Sequence, residues 1–154
     1  MMRALELKVP PTALVVLIAA AMFALSRAWP SMAVAVPARV VLAALLLLVG
    51  IAIALAGVAA FRRVRTTVNP IRPDTSSAVV STGIYARSRN PMYLGMLLAL
   101  AAWAVWLSHP LAFLGLPVFV LWMNAFQIRP EERALADRFG PVYQDYLRSV
   151  RRWI

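Results

Sequence analysis

Seven side chains in this sequence have the types and spacing to do chemistry. Tyr85, Arg87, Arg89, Asn90 and Tyr93 share one stretch, G-I-Y-A-R-S-R-N-P-M-Y-L-G over residues 83–95, and Glu131 and Glu132 follow a later apolar run. Asn is a preferred helix N-cap, and Pro at the first helical position gives up an amide that would be orphaned there, so Asn90-Pro91 predicts a helix start. Free amides and a positive dipole end, beside tyrosines and arginines, suit a ligand carrying a carboxylate. The same residues also suit a membrane-interface anchor, with Tyr at headgroup depth and Arg on the cytoplasmic flank. A plainer reading stands beside the two glutamates as well, since acids in a helix first turn stabilise the dipole without any ligand.

The elements that would position these groups are read from composition. Of 154 residues, 62% are hydrophobic and 14% charged, with a mean hydropathy of +0.76, which is too apolar for an ordinary soluble domain. The chain reads as an all-α integral membrane protein, one domain over residues 1–154. Its formal charge of +10 does not mark a nucleic-acid binder, because the Arg residues flank apolar runs instead of forming a basic domain. With no cysteine, thiolate catalysis, disulfides and Cys-based metal sites are excluded. The single His109, in a Ser-His-Pro turn without a second His or a nearby carboxylate, reads as a loop residue.

Four spans are expected, at about residues 12–29, 38–61, 91–107 and 111–128. The first, at 1.5 Å per residue, reaches roughly 27 Å, just enough for the hydrocarbon core. It lacks the small-residue cleavage site of a signal peptide. In the second, Gly50 and Gly57 permit close approach of neighbouring helices or of a second copy, so the oligomeric state stays open. Residues 62–90 form a polar loop with breakers at Asn69-Pro70 and Arg72-Pro73-Asp74, and Val79-Val80 reads as a short extended piece over a pocket. Only Ser108, His109 and Pro110 separate the third and fourth spans, which predicts an antiparallel hairpin. Pro117 is expected to kink the fourth.

Counting Lys and Arg gives the orientation. Two basic residues lie in the N-terminal segment, six in the 62–90 loop and six in the tail 129–154, against only Arg27 and Arg39 on the other side. Both termini and the loop are therefore expected in the cytoplasm, and the composition is compatible with a bacterial inner membrane. In the tail, Gly140-Pro141 reads as a helix end and a new start. Val142, Tyr143, Tyr146, Leu147, Val150, Trp153 and Ile154 then recur at helical spacing, predicting an amphipathic helix that caps the bundle or lies on the membrane.

The spans hold almost nothing ionisable, which argues against a small transporter and puts any chemistry at the cytoplasmic rim. No G-x-G-x-x-G follows a strand, so a Rossmann nucleotide site is not expected. A scaffold without activity is the remaining alternative.

The segments G-I-Y-A-R-S-R-N-P-M-Y-L-G, I-R-P-E-E-R-A-L-A-D-R-F-G-P-V-Y-Q-D-Y and V-R-R-W-I together resemble the integral-membrane methyltransferases of the isoprenylcysteine carboxyl methyltransferase and phospholipid methyltransferase group, over roughly the last half of the chain. The resemblance implies S-adenosylmethionine as methyl donor on the cytoplasmic side, with Val79, Val80, Tyr85, Asn90, Pro91, Met92, Tyr93 and Glu131 around it. It also makes Arg129 and Glu132 candidates for contacting a lipophilic acceptor: a phospholipid amine, a thiol or a carboxylate arriving from the membrane lipids. Relatives acting on prenylated cysteine carry an Arg where this chain has Gln127, and commonly a His where it has Asn90. No metal and no covalent enzyme intermediate are implied.

Overall fold

The computed structural model of the protein describes residues 5–64 and 77–154. The breakers at Asn69-Pro70 and Arg72-Pro73-Asp74 lie outside the described residues. Helix α1 is Pro11–Ala28, started by a proline whose missing amide costs nothing at that position and ended at Trp29, just before Pro30. Helix α2, Arg39–Val64, carries no charge between Arg39 and Arg62 and presents Leu45, Leu48 and Leu55 outward, as a lipid-facing helix does. Helix α3 is Pro91–Leu107.

The fourth apolar run is less regular than a single span. It begins with a 3-10 turn, Pro110–Leu114, continues as α4, Gly115–Trp122, widens into a π-helical stretch, Met123–Ile128, and passes without a break into α5, Arg129–Phe139. Pro117 lies in the first turn of α4 and disturbs no established ladder; the irregularity expected there comes instead at the π stretch. Pro130 explains it: an amide at 130 would bond the carbonyl of Phe126, but Pro has none. That carbonyl accepts the Leu7 N–H at 3.0 Å instead.

Three of these helical stretches, Pro11–Ala28, Arg39–Val64 and Pro110–Phe139, are long and apolar enough to cross a membrane, and α3 is a shorter apolar helix. The protein is an all-helical integral membrane protein. Met22, Leu100, Phe119, Met123 and Ile128 form the buried centre, with α3 in the middle of the bundle. Within the apolar bundle the Trp103 indole donates to the Ala19 carbonyl at 3.1 Å, so its N–H is not left bare. Gly50 and Gly57 are spent inside the chain: a Cβ on Gly50 would fall 2.8 Å from the Gly95 carbonyl oxygen, and one on Gly57 would fall 2.8 Å from Met92 Cγ. They bring α2 against α3 and are buried there, so they do not offer the pairing surface the sequence left open.

At the far turn, Ser108 takes the left-handed conformation that closes α3, and its carbonyl accepts the Val34 N–H at 2.9 Å. His109 is a loop residue but not an exposed one; at 1% exposure its Nε2 lies 2.9 Å from the Trp29 carbonyl, tying the end of α1 to the α3–α4 turn.

Past Gly140, which sits at a positive φ of 55°, helix α6 runs Pro141–Ser149. The tail helix expected to continue to residue 154 stops here. Val150 is extended, and residues 150–154 form a strap along the rim. Part of the apolar face of α6 caps the bundle: Tyr143 and Tyr146 are buried, while Val142 stays exposed. The Tyr146 hydroxyl donates to the Tyr85 carbonyl at 2.8 Å.

Candidate active site at the rim of the bundle

The rim site is built where α3 begins and the π stretch runs into α5. The π stretch and the first turn of α5 put Gln127 and Glu131 on one face, and α3 brings Tyr93 to it. Tyr93 donates its hydroxyl to Glu131 Oε1 at 2.6 Å, and Gln127 Nε2 donates to the same oxygen at 2.6 Å. Both bonds land on Oε1, and Oε2 has no hydrogen bond among the described residues. No described Arg or Lys pairs with Glu131, which is half-buried and served by neutral donors alone. Since α5 continues the preceding helix, Glu131 does not sit at an open helix start, and the dipole reading of this residue loses its basis.

One residue on, Glu132 has the opposite environment. Its Oε1 lies 3.0 Å from Arg89 Nη2 and 3.1 Å from Arg152 Nε, and its Oε2 lies 2.6 Å from Arg152 Nη2. Arg89 also donates Nη1 to the Leu147 carbonyl at 2.7 Å, while its Nε is buried without a partner among the described residues.

Asn90 occupies the N-cap position of α3 as expected, but its side chain does not cap the helix. Its Nδ2 donates to the Arg152 carbonyl at 3.0 Å, and its own amide donates to Ser88 Oγ at 3.2 Å. Ahead of it, residues Gly83–Ala86 make a 3-10 turn entered at a positive φ of 64° on Gly83. This turn buries Tyr85 edge-on against Phe61, ring centroids 5.3 Å apart, in a small cluster with Val80 and Ala60. Burial, with Tyr146 and Glu131 adding to it, pushes the Tyr85 phenol above its ordinary range, so it stands as a neutral hydroxyl.

A family model described as phospholipid methyltransferase matches residues 38–142 of this chain. The chain belongs to the phospholipid methyltransferase family. It is also similar to an uncharacterized protein of Haemophilus influenzae, 49% identical over 63 residues, which are 41% of this chain and all of that protein. A third likeness is to the protein-S-isoprenylcysteine O-methyltransferase of Saccharomyces cerevisiae, 34% identical over 80 residues. That match covers 51% of this chain and a third (33%) of the yeast protein. No solved structure matches the chain significantly. Family membership and the apolar helices together make this an integral membrane methyltransferase.

For a member of this family, the positions named from sequence fall into two groups. Tyr85, Asn90, Pro91, Tyr93 and Glu131 gather at the rim around the start of α3, with Val80 buried beneath Tyr85 and Val79 half-buried beside it. Met92 is turned with its Cγ toward Gly57 of α2. Val79 and Val80 form no strand; they are extended chain without ladder partners. Of the two acceptor candidates, Arg129 is exposed, and Glu132 is held by two guanidinium groups of the protein itself. Sequence reading did not find Gln127 or Arg152 as members of the site. Gln127 had a usable signal, its place four residues before Glu131 on a helix, where side chains are neighbours. Arg152 had none, because it reaches Glu132 only through the strap.

The residues present fit a methyl donor with an amino-acid end. Among the described residues, Glu131 has an Oε2 without a hydrogen bond and no paired cation, which suits an ammonium, and the Arg89 Nε–H has no partner, which suits a carboxylate.

Proposed function

We propose that the protein transfers a methyl group from S-adenosylmethionine to a lipophilic acceptor at the cytoplasmic face of a bacterial inner membrane, both termini lying on that side. The observation that carries this reading is the Tyr93–Glu131–Gln127 cluster, a carboxylate oriented by two neutral hydrogen bonds of 2.6 Å and without a countercharge among the described residues. A carboxyl group removed from water ionises at less cost beside a partner of opposite sign, and Tyr93 and Gln127 supply none.

In this reading Glu131 holds the donor's ammonium, and Tyr93 and Gln127 fix the carboxylate so that no reorganisation accompanies binding. Asn90 and the start of α3 at Pro91 flank the amino-acid end, while Met92, Tyr85, Val79 and Val80 line the side toward α2. When bound, the donor supplies a methyl already activated on a sulfonium, open to in-line displacement by an amine, thiolate or carboxylate as its carbon–sulfur bond breaks. The chain's own work is therefore orientation and exclusion of water. The acceptor enters from the lipid, and the positive-inside pattern of 14 basic residues on the loop side against two on the other supports the cytoplasmic placement.

Calorimetry on detergent-purified protein tests the reading. Saturable binding of S-adenosylmethionine or its demethylated product, lost in Glu131→Ala, is expected; a folded protein that binds neither ends it.

A further inference from the structure

The segment 150–154 does more at the rim than end a helix. Its backbone and its side chains make four separate attachments to the stretch that opens α3 and to the helix that carries the glutamates. The Arg89 N–H donates to the Arg151 carbonyl at 3.0 Å. Asn90 Nδ2 donates to the Arg152 carbonyl at 3.0 Å. The Arg152 guanidinium grips Glu132 with two bonds, at 3.1 and 2.6 Å. The Trp153 indole donates to Asn124 Oδ1 at 3.2 Å, and its ring packs against the bundle core.

Two consequences follow for Asn90. A carbonyl accepts and never donates, so the bond to Arg152 fixes which end of the Asn90 amide is the nitrogen; one N–H is spent on the strap, and Oδ1 is turned the other way as an acceptor a ligand can use. The side chain could otherwise turn over to cap its own helix, as Asn commonly does at this position; the strap takes that choice away. The grip on Glu132 matters because it is largely shielded from water: the side chain is 14% exposed, Arg89 12% and Arg152 30%. At such exposure a doubly bonded carboxylate holds its partners far better than a surface pair does.

From this geometry we infer that residues 150–154 are a working part of the donor site, with Glu132 and Arg152 acting as positioning residues that clasp the strap over residues 89–90 and fix Asn90 with its oxygen free. Glu132 then does not touch the acceptor, and its role is exercised through Arg89 and Arg152. The inference rests on the donor reading above, and the experiment separates the two.

The measurement is donor affinity by calorimetry for the full chain, for Glu132→Gln, for Arg152→Gln and for a chain ending at Ser149. Each is measured with and without Asn90→Ala, beside hydrogen exchange at the Arg89 amide. The clasp predicts faster exchange at Arg89 in all three variants. It also predicts affinity lowered by about tenfold, equal to ~1.4 kcal/mol. In the Asn90→Ala background the same changes are expected to lower affinity by less than about threefold, since the side chain being oriented is gone. A merely structural strap would give the same loss with or without Asn90. Variants that bind the donor as the parent does, or losses fully additive with Asn90→Ala, overturn the clasp and leave the donor reading standing. A parent protein that binds no donor overturns the donor reading itself. Glu132→Gln and Arg152→Gln keep the test decisive should the shortened chain fail to fold.

Discussion

Glu131 and Glu132 are adjacent in the chain and sit in unlike surroundings. Glu132 faces Arg89 and Arg152 and has its charge answered within the protein, while Glu131 faces a phenol and an amide that orient it without neutralising it. The difference separates an acid whose charge is met within the protein from one met, among the described residues, by neutral donors. A carboxylate already paired has little to gain from a cationic ligand, and one held by neutral donors has much.

The contrast is open to test at several strengths. The largest effect is expected from Glu131→Ala, which removes the carboxylate that would meet the ammonium: donor affinity by calorimetry should fall at least about 100-fold, ~3 kcal/mol. Glu132→Gln should cost about tenfold in the same titration, and should in addition raise protease sensitivity after Ser149, because the strap is released. If the two substitutions cost the same, the assignment of separate roles fails. Tyr93→Phe keeps the ring in the core and deletes one hydrogen bond to Glu131, so a loss of about fivefold, ~1 kcal/mol, is expected. Arg129→Gln, on an exposed side chain, should change affinity by less than about twofold. At the far end of the bundle, His109→Ala should leave donor affinity alone while lowering the thermal midpoint by a few degrees, ~1 kcal/mol for one lost buried bond.

Much of the fold was legible because lipid-facing helices announce themselves by length and composition. The starts at Pro11 and Pro91 and the break at Gly140-Pro141 follow from backbone chemistry that proline and glycine carry wherever they stand. What periodicity could not give was the end of α6. Trp153 and Ile154 keep helical spacing with Tyr146 and Val150, yet Trp153 gains a partner in Asn124 and contact with the core only if the chain straightens at Val150. A tertiary contact overrode a local pattern. Likewise Asn90 was correctly placed at the start of α3 but not in its bonding, since its acceptor lies 62 residues further on. The hairpin of the third and fourth spans brings both glutamates to the arginine-bearing loop, so a meeting of carboxylate and guanidinium is expected there, and Arg89 with Glu132 provides it. The second guanidinium, from Arg152, had no such signal, because it comes from the strap.

The π stretch at Met123–Ile128 acts as a phase setting for everything that follows it. Each residue of a regular α-helix advances the face by about 100°, so a turn that accommodates an extra residue rotates the downstream surface by about that amount. Were the stretch to tighten into regular helix, Glu131 would swing away from Tyr93 without a single change of residue identity. In that sense the missing amide of Pro130, and the Leu7 N–H that takes up the carbonyl it releases, act as an angular stop deciding which of two neighbouring acids looks into the site.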